Sequence, residues 1–117
     1  MDKNILIVDD ISVNRLLLRC ILNALGYSNI DEAINGSNAL EMAIDNKYDI
    51  IFMDIQMPVM DGFISTYKIR QALNDKPIII AVTAYYDKIP DDSGFNVCIR
   101  KPYTIDSIAD ILKKYNI

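Results

Sequence analysis

The chain has 117 residues, the length of one ordinary domain, and with 51% hydrophobic and 24% charged residues it can bury a packed core rather than stay disordered. A formal net charge of −4 without a basic face speaks against nucleic-acid binding. The absence of histidine excludes a Ser-His-Asp triad, a Cys-His pair and a His-based zinc site within the chain.

Asn4 to Val8 reads as a short Ile/Leu/Val strand that ends in Asp9-Asp10. Those two carboxylates interrupt the first apolar run too early for a signal peptide, and no apolar segment is long enough to span a bilayer. A cytoplasmic domain that itself makes no membrane contact is therefore expected. Ser12 is placed to cap a helix, whose apolar stripe runs Val13, Leu16, Leu17, Cys20, Ile21 and Ala24. Gly26 ends that helix. Ser28 to Ala33 is a weaker, more polar strand suited to a sheet edge, and Asn35-Gly36 reads as a turn. Ala39, Leu40, Ala43 and Ile44 mark a second helix closed by Asn46-Lys47.

The run Ile50-Ile51-Phe52-Met53-Asp54 is continuous, apolar and of strand length, as expected of a strand buried on both faces of a parallel sheet. A helix from about Gly62 to Leu73 follows, with the least regular apolar pattern of the set. Pro77 to Val82 is another apolar strand, ending in Thr83-Ala84. Phe95 to Ile99 is a fifth, ending in Arg100-Lys101-Pro102. Ile105, Ile108, Ala109 and Leu112 form the stripe of the last helix. Cys20 and Cys98 lie inside apolar stretches and are expected to be buried free thiols in a reducing compartment. The repeated β-α order argues for one α/β domain over residues 1–117, a parallel sheet with helices on both faces.

The polar residues at the strand ends are Asp9 and Asp10, Asp54, Thr83 and Lys101. Taken singly, each reads as a turn or surface residue. In a parallel sheet, however, all these ends share the edge where open α/β folds bind ligands. Three carboxylates without histidine or thiolate suit a hard cation such as Mg²⁺. A hydroxyl and an ammonium beside them suit phosphoryl oxygens, and an Asp can itself be the nucleophile of phosphoryl transfer.

With these residues in place the chain resembles the receiver domain of two-component response regulators over nearly its whole length. The motifs are Leu6-Ile7-Val8-Asp9-Asp10, Met53-Asp54-Ile55-Gln56-Met57-Pro58-Val59-Met60-Asp61-Gly62, Val82-Thr83-Ala84 and Lys101-Pro102. The motif around Asp54 is most similar to that of receivers attached to, or working with, hybrid sensor kinases. The resemblance implies a flavodoxin-like (βα)5 three-layer fold of sheet order 2-1-3-4-5. It implies that Asp54 accepts a phosphoryl group from a phosphohistidine on a sensor histidine kinase or a histidine phosphotransfer protein. It also implies that Asp10, Asp54 and the backbone carbonyl of Gln56 hold Mg²⁺, with Asp9 acting through water. Thr83 and Lys101 would bind the phosphoryl oxygens, small Ala84 would leave the site open, and Gln56 and Tyr85 would tune hydrolysis. The Lys101-Pro102 bond would be cis. A receiver of this kind catalyses only its own phosphorylation and dephosphorylation.

Two departures stand out. The stretch from Thr83 to Lys101 is about one helical turn short and contains Pro90, so the fourth helix is expected to be shortened or missing. Cys98 stands where the family has its switch aromatic, and it is expected to pack in the core. The reading is a phosphoacceptor receiver without an output domain in this chain, acting through binding or onward transfer. The competing readings are an Mg²⁺-dependent phosphatase with an aspartyl-phosphate intermediate and a vestigial interaction-only receiver. The phosphatase reading lacks an acid two residues after Asp54, where Gln56 stands. Composition does not set an oligomeric state.

Overall fold

The computed structural model describes residues 3–74, 76–84 and 93–117. Five parallel strands, β1 (Ile5–Val8), β2 (Ile30–Ala33), β3 (Ile50–Asp54), β4 (Ile78–Thr83) and β5 (Val97–Arg100), form one sheet of order β2-β1-β3-β4-β5. The described helices are α1 (Ser12–Ala24), α2 (Gly36–Asp45), α3 (Gly62–Leu73) and α4 (Ile105–Lys114). This is the three-layer flavodoxin-like arrangement expected from the sequence.

Side chains alternate across each strand, so one strand feeds two cores. Ile5, Ile7 and Phe52 pack with Leu18 and Leu22 of α1 and Ile108 and Leu112 of α4. Leu6, Val8 and Met53 pack on the opposite face with Ala39 and Ala43 of α2 and Ile69 of α3. β1 and β3 are therefore buried on both sides, which is why their sequences read as unbroken apolar runs. The polar β2 lies at the edge, as expected.

α1 is turned differently from the expected stripe. Its buried residues are Leu18 and Leu22, while Val13, Leu16, Leu17, Cys20 and Ala24 are exposed. The helix is apolar on two sides, so periodicity alone defines two stripes; the core took the one running Leu18, Leu22 and the half-buried Leu25. Ser12 is not the cap: Ile11 is, and the Asp9 carboxylate accepts the Ile11 N–H at 2.9 Å.

Asn35-Gly36 is a helix start rather than a free turn, since Asn35 caps α2 by accepting from the Asn38 N–H at 2.8 Å. β5 begins at Val97 and reaches Arg100, later than expected. Both cysteines are free and exposed, not buried. Cys20 is on the outward side of α1, and Cys98 alternates with buried Ile99 on an edge strand and so faces the other way.

The expected shortening of a helix between Thr83 and Lys101 falls on residues 85–92, as does Tyr85, and lies outside the described residues. Ala84 and residues 93–96 beside that stretch carry no helix. The Lys101-Pro102 bond is cis as expected, and so is Lys76-Pro77.

Candidate functional site

The register of the sheet brings the strand ends together. Val8 stands opposite Met53 and Thr83 opposite Arg100, so Asp9, Asp54 and Lys101 emerge on one edge. The chain at Asp9 is tied to β2 by its N–H, which donates to the Ala33 carbonyl at 3.2 Å. Lys101 is tied to β4 by its N–H, which donates to the Thr83 carbonyl at 2.7 Å.

Asp9, Asp54 and Thr83 are buried, whereas Asp10 is exposed. One carboxylate oxygen from each of Asp9, Asp10 and Asp54 can be chosen so that all lie within 4.8 Å of one another. The Lys101 ammonium lies 3.2 Å from Asp9 Oδ2 and 3.6 Å from Asp54 Oδ2. The Gln56 N–H donates to Asp54 Oδ1 at 3.2 Å. One ammonium against three carboxylates leaves the cluster net negative. Two like charges at this separation repel by roughly 3 kcal/mol at an effective dielectric of about 20. An all-oxygen donor set with unneutralised charge fits a hard divalent cation.

The electrostatics of Asp54 follow from this crowding. Its pKa is pushed up to about 6: burial is the largest influence, Lys101 and the Gln56 N–H oppose it, and Asp9 and Asp10 push in the same direction as burial. Removing the ammonium should therefore push Asp54 further up. In Lys101→Met without divalent metal, the Asp54 carboxyl should titrate about one unit higher than in the parent. Carbon-13 carboxyl NMR against pH reads this directly, and an unchanged or lower value would show that Lys101 does not govern Asp54.

Every strand-end residue singled out in the sequence lies at this edge, and the acids and the lysine meet there. Two neighbours were not singled out as site residues. Tyr103 is half-buried, and burial, then the charges of Asp9 and Asp54, push its pKa up to about 12. Arg15 donates from Nη1 to the backbone carbonyl of Asp9 at 2.8 Å. A sequence carries little sign of such a contact, because an arginine one turn into a helix is ordinarily a solvated charge.

Comparison with known proteins shows the family to which the chain belongs. The response regulator receiver domain profile matches residues 5–113. The chain is 41% identical to sensor protein EvgS of Escherichia coli K12 over 115 residues, covering 95% of the chain and 9% of that protein. It is 38% identical to sensor histidine kinase RcsC of the same organism, covering 97% of the chain and 12% of that protein. The chain thus spans a small fraction of these curated relatives.

Among solved structures, response regulator TrrA of Thermotoga maritima, in complex with Mg²⁺-BeF, superposes with a TM-score of 0.88 at 35% identity, covering 97% of this chain and 98% of that one. The receiver domain of sensor histidine kinase PA1611 of Pseudomonas aeruginosa PAO1, with magnesium coordinated in its active-site cleft, gives 0.87 at 31% identity, with 98% of each chain covered. The chain belongs to the response regulator receiver domain family, and its relatives include sensor kinases of the hybrid type.

Proposed function

We propose that this receiver domain is a cytoplasmic phosphoacceptor of a two-component phosphorelay. Asp54 takes a phosphoryl group from a phosphohistidine on a sensor histidine kinase or a histidine phosphotransfer protein, and the domain signals by changed binding or onward transfer. The observation that carries this reading is the buried Asp54 carboxylate at the end of β3, with Asp9, Asp10 and Lys101 around it. Asp10, Asp54 and the Gln56 backbone carbonyl would hold Mg²⁺, with Asp9 acting through water. Bound there, Mg²⁺ would neutralise the carboxylates and the phosphoryl oxygens.

The chain's own groups do the rest. An Asp54 oxygen forms the new P–O bond as the P–N bond to the partner's imidazole breaks. The electron pair leaves with the imidazole. Lys101 would follow the charge onto the phosphoryl oxygens, and the Thr83 hydroxyl would hold another of them. The domain would act only on its own phosphorylation and dephosphorylation.

The phosphohistidine must lie outside these 117 residues, because they contain no histidine. Ile11 directly follows Asp10, and with Val13, Leu16 and Leu17 it forms an exposed apolar face that begins at the site. A helix carrying the phosphohistidine could pack there, apolar face against apolar face. Among the described residues no helix is long and apolar enough to cross a membrane.

Incubation with a phosphorylated histidine phosphotransfer protein, read on a phosphate-affinity gel with Mg²⁺ and with EDTA, tests the proposal. Metal-dependent transfer is expected, and none from any donor would overturn it. A paired test addresses the α1 face. Leu16→Glu/Leu17→Glu should slow transfer from the protein donor by about tenfold or more, equivalent to roughly 1.4 kcal/mol, and leave labelling by acetyl phosphate unchanged. Equal slowing with both donors would place the effect in the site rather than in docking.

A further inference from the structure

We propose that Arg15 is a positioning residue for the metal-binding edge: by holding the Asp9 carbonyl it fixes the Asp9-Asp10 peptide and so sets the aim of the Asp10 carboxylate. This rests on the reading of Asp10 as a metal ligand. The three acids are held differently. Asp9 Oδ1 takes the Ile11 N–H at 2.9 Å and Asp9 Oδ2 faces Lys101 at 3.2 Å. Asp54 takes the Gln56 N–H at 3.2 Å and also faces Lys101. Among the described residues no hydrogen bond holds the Asp10 carboxylate. Its direction is set by its backbone, and the carbonyl of the peptide that leads into it is held by Arg15.

Arg15 is itself held. Its Nε donates to Glu32 Oε1 at 2.8 Å, and the Arg19 Nε donates to the other oxygen, Oε2, at 2.7 Å. Burial acts to raise the Glu32 pKa, but the bonds and charges of Arg19 and Arg15 outweigh it and keep the carboxyl below its ordinary value. Glu32 is on β2 opposite Ile7, so the bracket spans the α1–β2 edge just below the site. The two arginines share this carboxylate and differ at their far ends. Arg15 reaches the Asp9 carbonyl, whereas the Arg19 Nη2 reaches the Ile30 carbonyl, at the opposite end of β2. Arg19 is thus a built-in control for the structural part of the bracket.

The sign of the effect separates positioning from charge. Deleting a cation near three carboxylates should strengthen the binding of a divalent cation by Coulomb's law. Loss of aim predicts the opposite. Mutating residues that orient metal ligands commonly weakens metal affinity by about 10–100-fold.

The test is Mn²⁺ affinity, read by electron paramagnetic resonance of free Mn²⁺, for the parent, Asp10→Asn, Arg15→Met, Arg19→Met and Glu32→Gln, each with its melting midpoint. Arg15→Met should weaken Mn²⁺ binding about tenfold. Arg19→Met should change it less than about twofold despite a similar fall in melting midpoint. Glu32→Gln, which keeps the shape of the acceptor, should give an intermediate loss and serves if Arg15→Met does not fold. Arg15→Met or Glu32→Gln binding as tightly as the parent would overturn the role of Arg15, as would equal losses in the two arginine variants. A parent that does not bind Mn²⁺, or an Asp10→Asn that binds as well as the parent, would overturn the metal-site reading itself and the inference with it.

Discussion

Asp54→Asn should reduce labelling by acetyl phosphate in Mg²⁺ to background and, in metal-free buffer above pH 6, make the protein more stable than the parent. The loss of labelling follows from deleting the nucleophilic oxygen. The gain in stability follows from the direction of the Asp54 shift. Its carboxyl titrates at about 6 when folded, against an ordinary value of 3.8. Between those two values the folded state binds the extra proton, so stability falls as pH rises through this window and the penalty is full above it. One pKa unit corresponds to about 1.4 kcal/mol, and solvent screening at the open mouth of the site reduces the sum. The variant should gain roughly 1–2 kcal/mol at pH 7.5, about 5–10 °C in melting midpoint. The gain should vanish below about pH 4. Added Mg²⁺ should raise the parent's midpoint and leave the variant's nearly still, because only a state that binds ligand gains from it. A variant less stable than the parent at pH 7.5 would show that Asp54 is not crowded as described.

Gly62→Ala should be among the most damaging single-atom additions in the chain. A Cβ there would meet the Asp54 carbonyl oxygen, lie 2.8 Å from the Ile55 Cα and 3.1 Å from the Asp54 carbonyl carbon. All three are backbone atoms, so no side chain can swing aside. The Gly62 N–H donates to the Ile55 carbonyl at 2.8 Å, which ties the start of α3 to the end of β3. Relief of the contact must move either α3 or the Asp54–Ile55 peptide. A cost of about 3 kcal/mol, at the upper end of ordinary overpacking, is expected in urea unfolding, together with weaker Mg²⁺ binding. Gly26→Ala is the contrast. It meets nothing within 4 Å but stands at φ +98°, so it should incur only backbone strain, about 1 kcal/mol, and leave the metal site alone. Equal effects of the two on metal binding would contradict the close approach at Gly62.

What the sequence revealed and what it hid have physical reasons. Strands buried on both faces announce themselves as apolar runs, and a charge at the end of such a run stands out, so Asp9, Asp10, Asp54 and Lys101 could be assigned to one edge from the sequence. The parallel topology follows from the β-α alternation.

The orientation of α1 could not be read, because Leu16 and Leu17 are as apolar as Leu18 and Leu22 and only tertiary packing chooses between the two stripes. The surplus stripe became the exposed face beside the site. Cys98 was misplaced for a related reason. An apolar stretch suggests a strand buried on both faces, but β5 is an edge strand, and its alternate residues face outward. Arg15 was hidden because its role depends on a backbone carbonyl and on Glu32, 17 residues away.

The central claim is that Asp54 carries the phosphoryl group. An aspartyl phosphate is reduced by borohydride to homoserine, which stays in the peptide and marks its position. The parent, labelled with acetyl phosphate in Mg²⁺, reduced, digested and sequenced by mass spectrometry, should show homoserine at position 54 and aspartate retained at positions 9 and 10. Homoserine at 9 or 10, or none in a sample that had taken up label, would contradict the account.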